Sequence, residues 1–396
     1  MEHALQVELI RRFFRMRDGH TTELAAAPYR NPASDYTDPE QLALERRVLF
    51  REGPVLAGLS GDAPEPGDFF TFDCDGLPLL LVRGEDYAMR AFVNACRHRA
   101  APVAQGRGRA GRVLVCPYHA WTYDTEGRLL GQPLAQEAFA GLDPASLCLV
   151  PVPVAERHGL IFVRAGGGEA VDLDSVLSGV GPDLDAFALD RYRPVESRER
   201  VRAMNWKLVI DTFLEAYHIF SLHKGSIAGQ YFSAPALFDA LGMHSRFIGV
   251  RQSITGLAEQ AEERWSLLPH ATIHYVLVPN ALLVHQLDHF ELWQVFPAAG
   301  EAGRARIVTS LYAPDAPSTD KAREHWRKNL DILVGVTDAE DFPLCERIQH
   351  GLESGAVSEV VYGRNEPALI HFHRVLRERL GLVVPAVPQP EKNGPE

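Results

Sequence analysis

Two short pairs of cysteine and histidine, Cys96-Arg97-His98 and Cys116-Pro117-Tyr118-His119, stand 17 residues apart. Four such donors can meet only where a compact domain lays two loops side by side, so these pairs constrain the first half of the chain more than any other feature. Thiolate and imidazole together suit zinc or a [2Fe-2S] cluster. With two thiolates on one iron and two imidazoles on the other, a cluster has a higher reduction potential than an all-thiolate one. The surrounding text reads as a small all-β domain, because from Gly53 to about Arg164 short apolar runs (FFTFD, LPLLLV, MRAFVN, RVLVCP, WTYD, CLVPVPV, GLIFV) alternate with Gly, Pro and Asp.

The loops carry more than a generic metal spacing. Arg99-Ala100-Ala101-Pro102 closes the first and Ala120-Trp121-Thr122-Tyr123 the second, with Gly127 just beyond. In this detail the text resembles the Rieske domain of the ring-hydroxylating oxygenase α subunits. The resemblance implies a [2Fe-2S] Rieske cluster held by Cys96, His98, Cys116 and His119; a structural zinc site is the plainer alternative. Trp121 and Tyr123 are expected to pack the cluster loop, with the Tyr123 hydroxyl placed to tune the cluster. Between the loops, Gly106-Arg107-Gly108-Arg109-Ala110-Gly111 satisfies G-x-G-x-x-G, but a β-rich run follows it where a dinucleotide fold needs a helix. It reads as a basic surface loop with no nucleotide, so the electrons are expected from another protein.

A second constellation lies in Asn205-Trp206-Lys207, Asp211, Glu215, Tyr217, His218 and His223, on a helix predicted over Trp206 to His223. Five residues at about 3.6 per turn leave the two histidines about 140° apart, so a shared metal requires the helix to bend or bulge. Glu215 falls within about 60° of His218, close enough to orient that imidazole. NWKLVIDTFLEAYHIFSLH resembles the mononuclear-iron helix of the same family, in which two histidines and a distant carboxylate leave positions open for O₂. By that resemblance Asp341, in TDAEDFPLCERIQHGL, is the third ligand of a mononuclear Fe(II); Asp338, Glu340 and Glu346 are the other carboxylates of the stretch. The family also implies a head-to-tail homotrimer in which Glu215 bridges His119 of one chain to His218 of the next, although many members carry Asp there. Asp211 stands where many relatives have Asn. It is expected to pair with Lys207 or a water, or to face a cationic substrate in the pocket.

These readings divide the chain into an N-terminal helical segment packed on the catalytic domain (1–44), a Rieske domain (45–165), a catalytic domain (166–384) and a disordered tail (385–396). The fold class is α+β, an all-β Rieske domain followed by a helix-grip domain of antiparallel sheet and helices. Strands are predicted from Thr272 to Tyr312, with turns at Pro279-Asn280 and Gly300 to Gly303, and helices over Lys321 to Val334 and Pro367 to Leu380. Trp293, Phe290, Phe296 and Tyr275 are candidates to line an aromatic pocket or an ammonium cage, core packing being their plainer role. His285 and His289 are within reach of that pocket; His270, His274, His371 and His373 show no second motif.

Composition narrows the function. Forty Lys+Arg against 52 Asp+Glu give a net charge of −12, which disfavours nucleic acid or an anionic membrane as partner. No apolar run approaches a membrane span, and the interleaved charges of MEHALQVELIRRFFRMRDGH give an amphipathic helix in place of a secretory signal. An odd count of five cysteines points to a reducing, cytoplasmic setting in which Cys74, Cys148 and Cys345 are inert thiols. The leading expectation is a terminal oxygenase that receives electrons, ultimately from NAD(P)H, through a separate reductase or ferredoxin. With O₂ it would hydroxylate, dihydroxylate or oxidatively demethylate a small aromatic or amine substrate. A Rieske electron-transfer protein fused to a ligand-binding helix-grip domain is the alternative, and a zinc-stabilised binding protein a third.

Overall fold

The computed structural model describes residues 1–298, 300–317 and 319–385, so all but the first residue of the tail expected to be disordered (385–396) lies outside the described residues. The chain divides into two compact units, one of residues 46–176 with 188–193, the other of residues 1–45, 177–187 and 194–396.

The first unit is built from short antiparallel strands. Five of them, in the order Pro151–Val152, Met89–Val93, Leu77–Arg83, Asp68–Cys74 and Arg107–Arg109, form one sheet. Val113–Val115, Thr122–Asp124 and Leu129–Gly131 form a second, and Val154–Arg157, Leu160–Val163 and Val55–Leu59 a third. Each apolar run read from the sequence thus becomes a strand, and their inward residues Leu80, Val82, Phe92, Leu114 and Leu149 pack with Trp121 and Tyr123 into one core. Arg107–Arg109 corrects the expectation of a loop. Alternating glycine hides strand character in the sequence, yet the segment pairs with Asp68 to Phe70 as an exposed edge strand, where two arginines discourage further pairing. Gly127 shows why only glycine fits beyond the second loop: its φ is +79°, and a Cβ there would stand 2.4 Å from the Phe92 ring.

The second unit is centred on a seven-stranded sheet in the order Arg193–Arg202, Glu301–Ala313, His289–Ala298, Ala281–Gln286, Ala271–Leu277, His244–Val250 and Leu237–Leu241. Trp293 to Phe296 pair antiparallel with Arg306 to Thr309 as the alternation predicts. The second strand begins earlier than predicted, at Glu301, which already pairs with Ala298. Three strands of this sheet, Arg193–Arg202, Leu237–Leu241 and His244–Val250, escaped the sequence reading. Arg193–Arg202 is dense in charge, and Arg198, Arg200 and Arg202 find Asp331 and Asp338 on the helical stretch beyond Asp320. His244–Val250 is wholly buried despite His244 and Arg246, because Arg246 is ion-paired with Asp183 and with Asp239 at 2.8 Å.

Helices His3–Asp18, Asp320–Val336, Phe342–Glu353 and Pro367–Arg379 complete this unit. The N-terminal helix turns Phe13 onto Phe232 and Phe14 onto Trp265, and Arg12 reaches Asp239. The short helix Trp206–Asp211 is held by a buried ion pair: Lys207 Nζ and Trp206 Nε1 donate to the two oxygens of Glu45 at 2.6 and 2.8 Å. Among the described residues, no helix is long and apolar enough to cross a membrane.

Candidate metal and substrate sites

In the first unit the two metal loops are built alike. Cys96 and Cys116 each accept at their carbonyl from the amide of the residue four further on, Ala100 and Ala120, at 2.8 and 3.0 Å. Both alanines adopt positive φ (57° and 56°), which folds each loop back so that the Cys amide reaches Ala101 or Trp121. The cysteines are buried at the loop bases and the histidines half-buried near the tips, with His98 Nδ1 and His119 Nδ1 3.1 Å apart. His98 lies flat on Trp121, and the Tyr123 hydroxyl sits 3.3 Å from Cys96 Sγ while accepting from the Arg97 amide. Two inner thiols and two outer imidazoles fit a cluster with unlike irons.

In the second unit the predicted single helix is broken, as a shared metal demanded. After Trp206–Asp211 the ladder tightens to bonds from Phe213 to Ile210 and Leu214 to Asp211, and helix resumes at Ile219–Leu222. Glu215 holds the break, its carboxylate accepting from the His218 amide at 3.0 Å and bonding His218 Nδ1. On the facing stretch Pro343 has no N–H to continue the ladder, and a π-helical turn, Thr337–Asp341, carries Asp341 inward just before it. One donor atom each of His218, His223 and Asp341 lies within 4.8 Å of the others.

The outer nitrogens explain the inner ones. His223 Nδ1 stands 2.5 Å from Glu340 Oε2, itself held by the Ser226 hydroxyl at 2.8 Å, as His218 Nδ1 stands against Glu215. Because ionised carboxylates only accept, each Nδ1 donates to its carboxylate, and both Nε2 atoms face Asp341 Oδ1, at 3.6 and 3.2 Å. Two imidazole nitrogens and a carboxylate oxygen converging on one point form a donor set that fits a divalent metal, and two imidazoles with one carboxylate suit non-haem iron. The remaining carboxylates are spoken for. Asp338 pairs with Arg200 and Arg202, and Glu346 accepts from the Ala203 amide.

Asp211 corrects two expectations. It lies off the cavity, accepting from the Tyr36 hydroxyl at 2.7 Å and bonding His373 Nε2 at 2.9 Å, while Lys207 goes to Glu45. Burial and then Asp211 itself push the Tyr36 phenol far above its ordinary value, so it stays a donor. Tyr36 lies 175 residues from Asp211, a pairing no local pattern reveals. Burial likewise pushes Cys345 up to about 12, an inert thiol.

The three converging donors open into a cavity of about 390 Å³, within the range of small-molecule sites. Its aromatic walls are Phe213, Tyr231 and Phe247, not the predicted Trp293, Phe290, Phe296 and Tyr275, which are core residues of zero exposure. His289 reaches the cavity; His285 packs behind it between Phe187 and Phe290. Of these wall positions only His289 was foreseen, since the others come from strands and turns whose facing depends on the sheet.

The Rieske [2Fe-2S] domain family matches residues 54–151, and the ring hydroxylating alpha subunit catalytic domain family matches residues 189–382. The chain belongs to the Rieske oxygenase α subunits. The Rieske oxygenases carry a [2Fe-2S] cluster in the first of these domains and a mononuclear iron in the second. Among relatives of this α subunit, choline monooxygenase of Beta vulgaris is 28% identical over 88% of this chain and 76% of its own. The glycine betaine monooxygenase oxygenase subunit of Chromohalobacter salexigens is 33% identical, but over 48% of this chain and 42% of that one, so the match spans less than half the relative. A quaternary ammonium Rieske monooxygenase solved with L-carnitine shares the fold of the α subunit, with a TM-score of 0.75 at 20% identity, covering 90% of this chain and 96% of the other.

Proposed function

We propose that this α subunit is the terminal oxygenase of a system that oxidises a small quaternary ammonium substrate at a carbon next to nitrogen. The observation that carries the reading is the wall of the cavity: the rings of Phe213, Tyr231 and Phe247, with the buried carboxylate of Glu291, beside His218, His223 and Asp341. Aromatic faces and a carboxylate suit a methylated ammonium, which cannot donate a hydrogen bond and is bound through its charge and apolar shell. Likeness to choline and glycine betaine monooxygenases points the same way.

In this reading Cys96, His98, Cys116 and His119 hold the Rieske cluster, and His218, His223 and Asp341 the mononuclear iron. The bound groups supply one-electron transfer and O₂ activation. The chain's own part is positional. Glu215 and Glu340 keep both imidazoles in the tautomer that presents Nε2, and the aromatic walls exclude water and turn an N-alkyl group toward the metal. Oxidation of one C–H to C–OH consumes one O₂, two electrons and two protons and releases one water. The electrons come from a separate reductase or ferredoxin. The chain works as a cytoplasmic head-to-tail homotrimer, with Glu215 also the bridge from His119 of a neighbouring subunit.

The test begins with iron and sulfide content and the reduced EPR spectrum of anaerobically purified protein, where about three irons and two sulfides per chain are expected. Turnover with a surrogate reductase then compares trimethylammonium compounds with aromatic hydrocarbons. Dealkylated or N-alkyl-hydroxylated product supports the reading; a ring diol from the hydrocarbon, with the ammonium compounds untouched, refutes it.

A further inference from the structure

Among the described residues, Arg251 is a cation in the substrate cavity with no carboxylate within ion-pair distance. It follows the buried strand His244–Val250 and lines the same cavity as the three metal-site donors. Its Nη1 donates to Gln230 at 3.1 Å, and its Nη2 to Gln286 at 2.9 Å and Thr272 at 3.4 Å. All three partners are neutral. Its Nε–H is buried and bonds nothing among the described residues. A guanidinium cannot shed its proton, and one enclosed this way is ordinarily matched by a carboxylate. His289, which lines the same cavity, has carboxylates beside it where Arg251 has none: Asp288 at 3.0 Å and Glu291 at 3.5 Å.

The neighbours of Arg251 also hold it still. Tyr231 lies under the guanidinium at 4.8 Å and bonds Thr272 at 2.7 Å, and Thr272 donates to Gln286 at 3.0 Å. A planar fork fixed by neutral amides, with one donor left over, is arranged to receive a planar anion. Along the sheet, Phe247 pairs with His274 and Gly249 with Thr272, so Thr272 and Arg251 stand successively further along the strands from the Phe247–His274 row, the row that meets Phe213 beside the metal-site helix. A cation so placed repels an ammonium at that end and attracts a carboxylate.

We propose that Arg251 is a specificity-determining residue that binds a substrate carboxylate, so that the substrate is a zwitterion with its ammonium methyl groups toward His218, His223 and Asp341. The ammonium half rests on the function proposed above; the carboxylate half rests on Arg251 alone. The test is calorimetric binding to the cluster- and iron-loaded protein without reductase. The probes are trimethylammonium carboxylates with one to four methylenes, choline as the cation lacking a carboxylate, and benzoate as the carboxylate lacking a cation.

The wild-type protein is expected to bind the best-fitting zwitterion at least tenfold more tightly than choline. Arg251→Met should remove that margin while leaving choline equal or tighter, and Arg251→Lys should restore part of it. Choline binding no weaker than wild type and an unchanged melting temperature in Arg251→Met separate a lost anion contact from a damaged fold. If benzoate binds in an Arg251-dependent way while no ammonium compound does, the carboxylate site stands and the amine reading falls. If choline binds as tightly as every zwitterion, or Arg251→Met weakens both alike, or no carboxylate binds, the proposal is overturned, and in the first of these cases the amine reading survives it.

Discussion

Replacing the carboxylates behind the two imidazoles tests the metal site without touching a ligand. Glu340→Gln keeps shape and removes the charge that His223 Nδ1–H faces at 2.5 Å; Glu215→Gln does the same behind His218. Losing such a partner typically weakens metal binding 10- to 100-fold, about 1.4 to 2.7 kcal/mol. The surroundings rank the two. Glu340 is 27% exposed, so solvent screens it and the loss should lie near tenfold. Glu215 is 14% exposed and also accepts from the His218 amide, so its loss should lie nearer 100-fold. The assay is anaerobic competition for Fe(II) against a chelator on cluster-loaded protein, with the Rieske EPR signal as the control for the other site. Affinities within twofold of wild type for both variants, or a larger loss for Glu340→Gln, would refute the argument from the outer nitrogens.

Other outcomes follow from single contacts. Lys207→Met strands the Glu45 carboxylate at 1% exposure and should lower catalytic-unit stability by about 3 to 5 kcal/mol, read by calorimetry, whereas replacing both partners with apolar residues should recover much of it. Burial holds His285 down at about 4 against 6.5, so the unfolded chain takes up the proton first on acidification. Stability present above pH 6.5 is therefore lost between 6.5 and 4, by about 3 kcal/mol at most, and His285→Phe, which removes the titrating ring between Phe187 and Phe290, should flatten that slope. Tyr123→Phe removes the hydroxyl 3.3 Å from Cys96 Sγ and should lower the cluster potential measured by redox titration; an unchanged potential would show that this contact does not tune it.

Local chemistry made part of this protein legible in the chain alone. The loops at Cys96 and Cys116 announce themselves because all four donors fall within 24 residues, and their domain is written in short apolar runs separated by Gly, Pro and Asp. The His218–His223 spacing went further, since five residues on a straight helix cannot share a metal, and the break at 212–218 is there. Asp341 could be singled out from its neighbours only by resemblance. Tertiary structure separates these carboxylates physically, sending Asp338 to arginines and Glu340 to the back of His223 while a π-helical turn aims Asp341 inward.

The chain by itself determined which chemistry is available, because ligand types and their spacing are local properties. The cavity wall, the partners of Asp211 and the unmatched charge of Arg251 were decided only by the fold. Each of these depends on which residues, distant in sequence, a seven-stranded sheet and its covering helices bring within a few ångströms. A period of two along a strand says which residues share a face, but not which face looks into the cavity.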